Sequence, residues 1–202
     1  MQELFSHNAN FIFDEVIARY HILDSIDQEF SNPHDGNLNS LLYQKSWIDT
    51  VQWHVEDLIR EPEIEPTKGI QYKRLIDKLN QQRTDIVEKV DDYFLNLYKD
   101  VIVDSNAKQN TESPAWAVDR LSILALKIYH MRIESERIDI DDAKRQNCSQ
   151  KLEILLEQRI DLSAAIDELL NDISEGKKKM KVYRQLKMYN DPETNPVLYS
   201  KK

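Results

Sequence analysis

Eight positions near the end of the chain, Cys148, Leu152, Leu155, Arg159, Leu162, Ile166, Leu169 and Ile173, follow one another at steps that alternate four and three. Residues at those steps share one face of an α-helix, so the spacing predicts a single long helix from about Asp141 to Ser174. Its seam runs for more than three heptads and has to be covered. The cover is either other helices of the same chain, in an antiparallel bundle, or a second copy, in a homodimer through helix 141–174.

The rest of the chain is punctuated to match. All three glycines and all six prolines fall between periodic segments or at their ends: Pro33 and Gly36, Pro62, Pro66 and Gly69, Pro114, Gly176, Pro192 and Pro196. So few turn-formers in 202 residues favour an all-α fold. The intervening patterns predict helices over about Phe11–Phe30, Ser40–Arg60, Gln71–Tyr98 and Pro114–Arg137. In the first, Phe13, Val16, Ile17, Tyr20, Leu23 and Ile26 are expected to face inward. In the second, Trp47, Val51, His54 and Leu58 do so, and Pro62 and Pro66 are read as closing it. Ser113-Pro114 reads as an N-cap followed by proline at the first helical position of the fourth. The two longest helices would each span roughly 40–50 Å at 1.5 Å per residue, so the expected form is an elongated antiparallel bundle of about five helices over residues 1–176. A basic, partly irregular extension over 177–202 follows it.

Charge narrows the partners. The net charge is −9, which makes neither a nucleic-acid backbone nor an anionic membrane the default partner. From Ser174 onward eight lysines and arginines face three acids, an excess of +5 that leaves −14 on the remainder. That tail either docks on its own acidic body or serves as a short basic arm for a phosphate-bearing partner. The single cysteine, Cys148, allows no intrachain disulfide and is read as a small core residue. No stretch approaches a membrane span, and the first residues have neither a basic n-region nor an apolar run of signal-peptide length, so a cytoplasmic location is expected.

The stretch Asn80–Phe94 carries the polar groups most in need of explanation. Ile76, Leu79, Val87, Val90, Phe94 and Leu97 recur at helical spacing, and Arg83 falls inside that stripe. Asn80, Thr84, Glu88 and Asp91 run beside it at steps of four, four and three. A charge within a core stripe is costly unless paired, so the fold has to bring partners to Arg83. His54 and Arg159 also interrupt apolar stripes. If their helices pack together, the bundle has a polar centre at one level. His54 and Asp57 lie one turn apart, as do Glu88 and Asp91, and two facing helices that each present such a pair can hold a metal ion. The set Asp57, Glu88 and Asp91 suits Mg²⁺ or Mn²⁺, with His54 as ligand or general base and Arg83 and Arg159 binding phosphate oxygens. Glu88-x-x-Asp91 matches half of the acidic signature of helical, Mg²⁺-dependent nucleoside triphosphate pyrophosphatases, although His54-x-x-Asp57 stands where those have two glutamates. A structural salt-bridge network, with both arginines balanced by Asp57, Glu88 and Asp91, accounts for the same residues without a metal.

Four separated blocks, DTVQWHVEDLIR (Asp49–Arg60), NQQRTDIVEKVDDYF (Asn80–Phe94), DRLSILALKIYHM (Asp119–Met131) and YRQLKMYNDPETNP (Tyr183–Pro196), resemble an uncharacterised bacterial family catalogued as domain of unknown function 4254. The resemblance covers nearly the whole chain and implies no activity. Its implied setting, beside envelope-polysaccharide glycosyltransferases, suggests a cytoplasmic accessory to glycan assembly. Two functions are therefore carried forward. One is a metal-assisted hydrolase or transferase acting on a phosphate-containing small molecule. The other is a non-catalytic helical interaction protein.

Overall fold

A computed structural model describes residues 4–200 and contains six α-helices, the first five packed around one apolar core, with no β-strand among the described residues. They are α1 (Phe5–Tyr20), α2 (Asn37–Leu58), α3 (Pro66–Leu97), α4 (Pro114–Glu136), α5 (Asp142–Ser174) and a single-turn α6 (Pro196–Tyr199). The all-α bundle expected from the sequence is what the chain forms. Short connections return α3 along α2 and α5 along α4, giving two helical hairpins, and α1 packs against α2, α4 and α5.

Local chemistry sets the ends. The Glu65 carboxylate accepts from the backbone N–H groups of Thr67 and Lys68, both at 2.9 Å, with Pro66 at the first helical position. Pro66 thus opens α3 instead of closing α2. Asp141 caps α5 by accepting from Lys144 N at 2.8 Å. Ser113 stands at the N-cap of α4 as expected, but its hydroxyl makes no capping bond and is spent elsewhere. At the end of α5, Gly176 takes φ +73°, and a Cβ there would lie 2.3 Å from the Ile102 carbonyl oxygen. Glycine is what lets residues 176–179 run beside the α3–α4 loop, where Asp104 N donates to Gly176 O at 2.9 Å.

Three expectations about packing are corrected. The first helix stops at Tyr20, not Phe30, because the chain turns through Asp24, which takes φ +48°. Leu23 is left 71 % exposed and Ile26 only partly buried. Leu58, in the last turn of α2, is likewise exposed and not inward. The α5 seam is buried only at Ile166, Leu169 and Ile173; Cys148, Leu152, Leu155, Arg159 and Leu162 are half-buried. α5 is ten residues longer than α4, and α1 meets it only in its second half, from Arg159 onward.

Candidate functional site

Arg83 has its partners, and they are not the ones its own helix suggested. Its Nε donates to Asp119 Oδ1 at 2.8 Å and its Nη2 to Asp119 Oδ2 at 2.5 Å, a bidentate grip from α3 onto α4. Lys45 on α2 reaches the same carboxylate at 2.9 Å and pairs with Asp49 one turn along its own helix. Asp49 also accepts from the Ser122 hydroxyl at 2.6 Å, and its Oδ1 lies 3.5 Å from Arg83 Nε. Lys45, Asp49 and Asp119 are 1 %, 2 % and 3 % exposed. Two cations and two anions thus tie α2, α3 and α4 together. Burial raises Asp49's pKa above the usual range despite Lys45, whereas Asp119, though burial opposes it, is held below that range by Lys45 and Arg83.

The other polar residues picked from the sequence are dispersed. Arg159 faces α1, binding Asn10 Oδ1 at 2.8 Å and Asp14 at 2.6 Å. Glu88 lies near the surface under the extension, accepting from Gln185 N at 2.9 Å and standing 3.7 Å from Arg184. Asp57 is exposed. Asp91 is buried at the start of α4, where its Oδ2 accepts from the Ser113 hydroxyl at 2.9 Å and its Oδ1 has no hydrogen-bond partner. Burial raises its pKa. Asp57, Glu88 and Asp91 therefore do not form a common set of metal ligands, and Arg159 does not join Arg83 at one level. Asn80 accepts from Gln52 at 2.9 Å, while the Asn80 carbonyl and the Thr84 hydroxyl receive the Lys187 ammonium at 3.1 and 2.5 Å. With Arg184 on Asp92, these contacts lay the basic extension along α3.

His54 is drawn into a different constellation. His21 just past α1, His54 on α2 and His130 on α4 bring one ring nitrogen each to within 4.8 Å of one another. Their ring centroids form a near-equilateral triangle of 5.1, 5.4 and 5.5 Å. Tyr20 stacks on His54 and Trp53 on His130, at interplanar angles of 15° and 4°. Burial lowers the pKa of His130 to about 4, helped by His21 and His54, and burial lowers that of His54 against the pull of Asp24. Both rings are therefore neutral at neutral pH.

No spacing in the sequence singles out His21, and His130 stands four residues before Glu134, the spacing of an ordinary surface charge ladder. The usable signal was the position of His21 directly after the buried Tyr20.

Three cavities adjoin this region. One of about 430 Å³ is lined by Trp53, Lys127, His130, Met131, Glu134, Lys151, Ile154 and Leu155. A second, of about 270 Å³, shares Trp53 and adds Gln52, Asp57, Arg60, Arg83 and Ile123. A third, of about 440 Å³, shares Lys127 with the first and Arg83 and Ile123 with the second. The three adjoin along α4, parted by the side chains they share, and together form the α4 cleft; His130 lines the first.

A family model described as "Protein of unknown function (DUF4254)" matches residues 39–182, from α2 into the start of the extension. That span holds Lys45, Asp49, His54, Arg83, Asp119 and His130, and leaves His21 outside. No curated protein and no solved structure matches the chain.

Proposed function

The chain belongs to the DUF4254 family, described only as of unknown function, and from the site itself we propose that it is a hydrolase or group transferase acting on a phosphate-containing small molecule bound in the α4 cleft. The observation that carries this reading is the meeting of three cavities at Trp53, Ile123, Lys127 and Arg83. Trp53, Met131, Ile154 and Leu155 offer an apolar wall, and Lys127 and Lys151 stand beside it as ammonium groups. That combination fits a nucleotide or nucleotide sugar, with its ring on the apolar side and its phosphates at the lysines. Arg83 lines two of the cavities, and Asp119 engages its Nε and Nη2 but not its Nη1. His130 contributes a neutral imidazole at the cleft wall.

The test is thermal denaturation of the full chain with nucleotides and nucleotide sugars, with and without divalent ions. A ligand at about a hundred times its Kd adds about 2.7 kcal/mol to the folded state, which raises Tm by several degrees. The reading expects such a shift for at least one phosphate-bearing ligand and its loss in Lys127→Met. A flat panel would contradict it.

The closed pairing of Lys45, Asp49, Arg83 and Asp119 favours a second reading. In it the bundle is a non-catalytic interaction protein, an accessory to envelope glycan synthesis, and its polar centre is structural. A flat ligand panel together with a strong loss of stability on breaking that centre is its signature.

A further inference from the structure

We propose that His21, His54 and His130 form a binding site for a first-row transition metal ion of the Zn²⁺ type. The inference stands on three side chains and does not require the cleft to be catalytic. A tetrahedral ion with metal–nitrogen bonds of about 2.1 Å separates its ligand nitrogens by about 3.4 Å, and the ring centres behind them by about 5.3 Å. Here the centroids lie 5.1, 5.4 and 5.5 Å apart, and the Nε2 atoms of His21 and His54 are 3.1 Å apart. The ring centres already stand at the spacing a metal would impose, and the nitrogens, all within 4.8 Å of one another, close to about 3.4 Å on loading.

Hydrogen bonding favours the same arrangement. His21 Nδ1 lies 2.6 Å from the Ile17 carbonyl, which can only accept, so in the neutral ring Nδ1 carries the proton and the lone pair is on Nε2, facing His54. His130 Nε2 is buried with no hydrogen-bond partner, an orphan atom of the kind a bound ion would satisfy. Without metal, His54 Nε2–H can donate to His21 Nε2; on loading, that proton moves to His54 Nδ1 and the lone pair turns to the ion. Asp24 Oδ1, 3.6 Å from His54 Nε2, supplies negative charge beside the site. Asp24 is held there by its left-handed backbone, a conformation that aspartate tolerates better than most residues. Imidazole nitrogens suit Zn²⁺, Co²⁺, Ni²⁺ and Cu²⁺, and exclude Mg²⁺ as the preferred ion.

The probe is Co²⁺, titrated into metal-free full-length protein. One equivalent is expected to develop the intense visible absorption of a low-coordinate nitrogen site, quench Trp53 fluorescence through the stacked His130 ring, and be displaced by Zn²⁺. His54→Ala and His130→Phe are each expected to weaken binding at least tenfold, whereas Asp57→Asn, Glu88→Gln and Asp91→Asn leave it unchanged. A weak octahedral spectrum, or tight binding that survives His130→Phe, would overturn the proposal. If a histidine variant does not fold, X-ray absorption of the Zn²⁺-loaded wild type decides instead. Scattering from three imidazoles supports the site, and an oxygen shell without them overturns it.

Discussion

Asp119 on α4 is gripped by the Arg83 guanidinium on α3 through two hydrogen bonds, of 2.8 and 2.5 Å, one to each carboxylate oxygen. Lys45 approaches the same carboxylate from α2 at 2.9 Å. Removing this one carboxylate strands two cations on Asp49 alone. Asp119→Ala is therefore expected to cost about 3–5 kcal/mol, the range for breaking a buried pair. Glu88→Ala, which removes only contacts to the basic extension, is expected to cost about 1 kcal/mol or less. Urea denaturation of the two variants side by side reads the difference.

Asp91 acts at the same α3–α4 seam. Its carboxylate takes the Ser113 hydroxyl at the start of α4, so Asp91→Ala is expected to lose about 1–2 kcal/mol. The pH dependence has a definite sign. Burial raises the carboxyl pKa in the fold, so its stabilising contribution is complete below the unfolded value and is lost as pH rises through the folded one. Asp91→Asn cannot ionise and should gain on the wild type as pH rises from the unfolded carboxylate range toward neutrality. Urea midpoints at a series of pH values check this.

Arg159 binds Asp14 and Asn10 on α1 and lines none of the three cavities of the α4 cleft. Arg159→Ala should cost about 1 kcal/mol or less, since Asp14 is largely exposed, and should leave ligand-induced thermal shifts intact. A shift abolished by this variant would move the binding site to the α1–α5 face.

Gly176→Ala meets two obstacles at once, a positive φ and the Ile102 carbonyl 2.3 Å from the new Cβ. The expected cost is more than about 1 kcal/mol, seen as a lowered Tm, with the backbone bonds between residues 104–108 and 176–179 the first to open in amide exchange.

Much of this architecture was legible before the structure. α4 begins at Pro114 and α5 runs to Ser174 as the sequence indicated, because proline and capping residues mark helix ends chemically. The sequence pattern carries the first helix past its real end at Tyr20, because Leu23 and Ile26 continue the apolar spacing and the turn at Asp24 uses no glycine. In α5 the seam shows which residues share a face, not how much of that face other helices reach.

The need of Arg83 for partners was legible, but their identity was not. Lys45 and Asp49 stand four apart, as surface pairs do, and only the burial of α2 on both sides makes them internal. The histidine triangle joins residues 21, 54 and 130 from three elements, and no spacing along the chain encodes that meeting.

The most direct measurement is the imidazole NMR spectrum of the ¹⁵N-labelled full chain, recorded before and after one equivalent of Zn²⁺. The chain has five histidines, His7, His21, His34, His54 and His130. The account expects large nitrogen shifts at His21, His54 and His130 together, with His7 and His34 unmoved. Shifts at His7 or His34 instead, or none at the triangle, would contradict it.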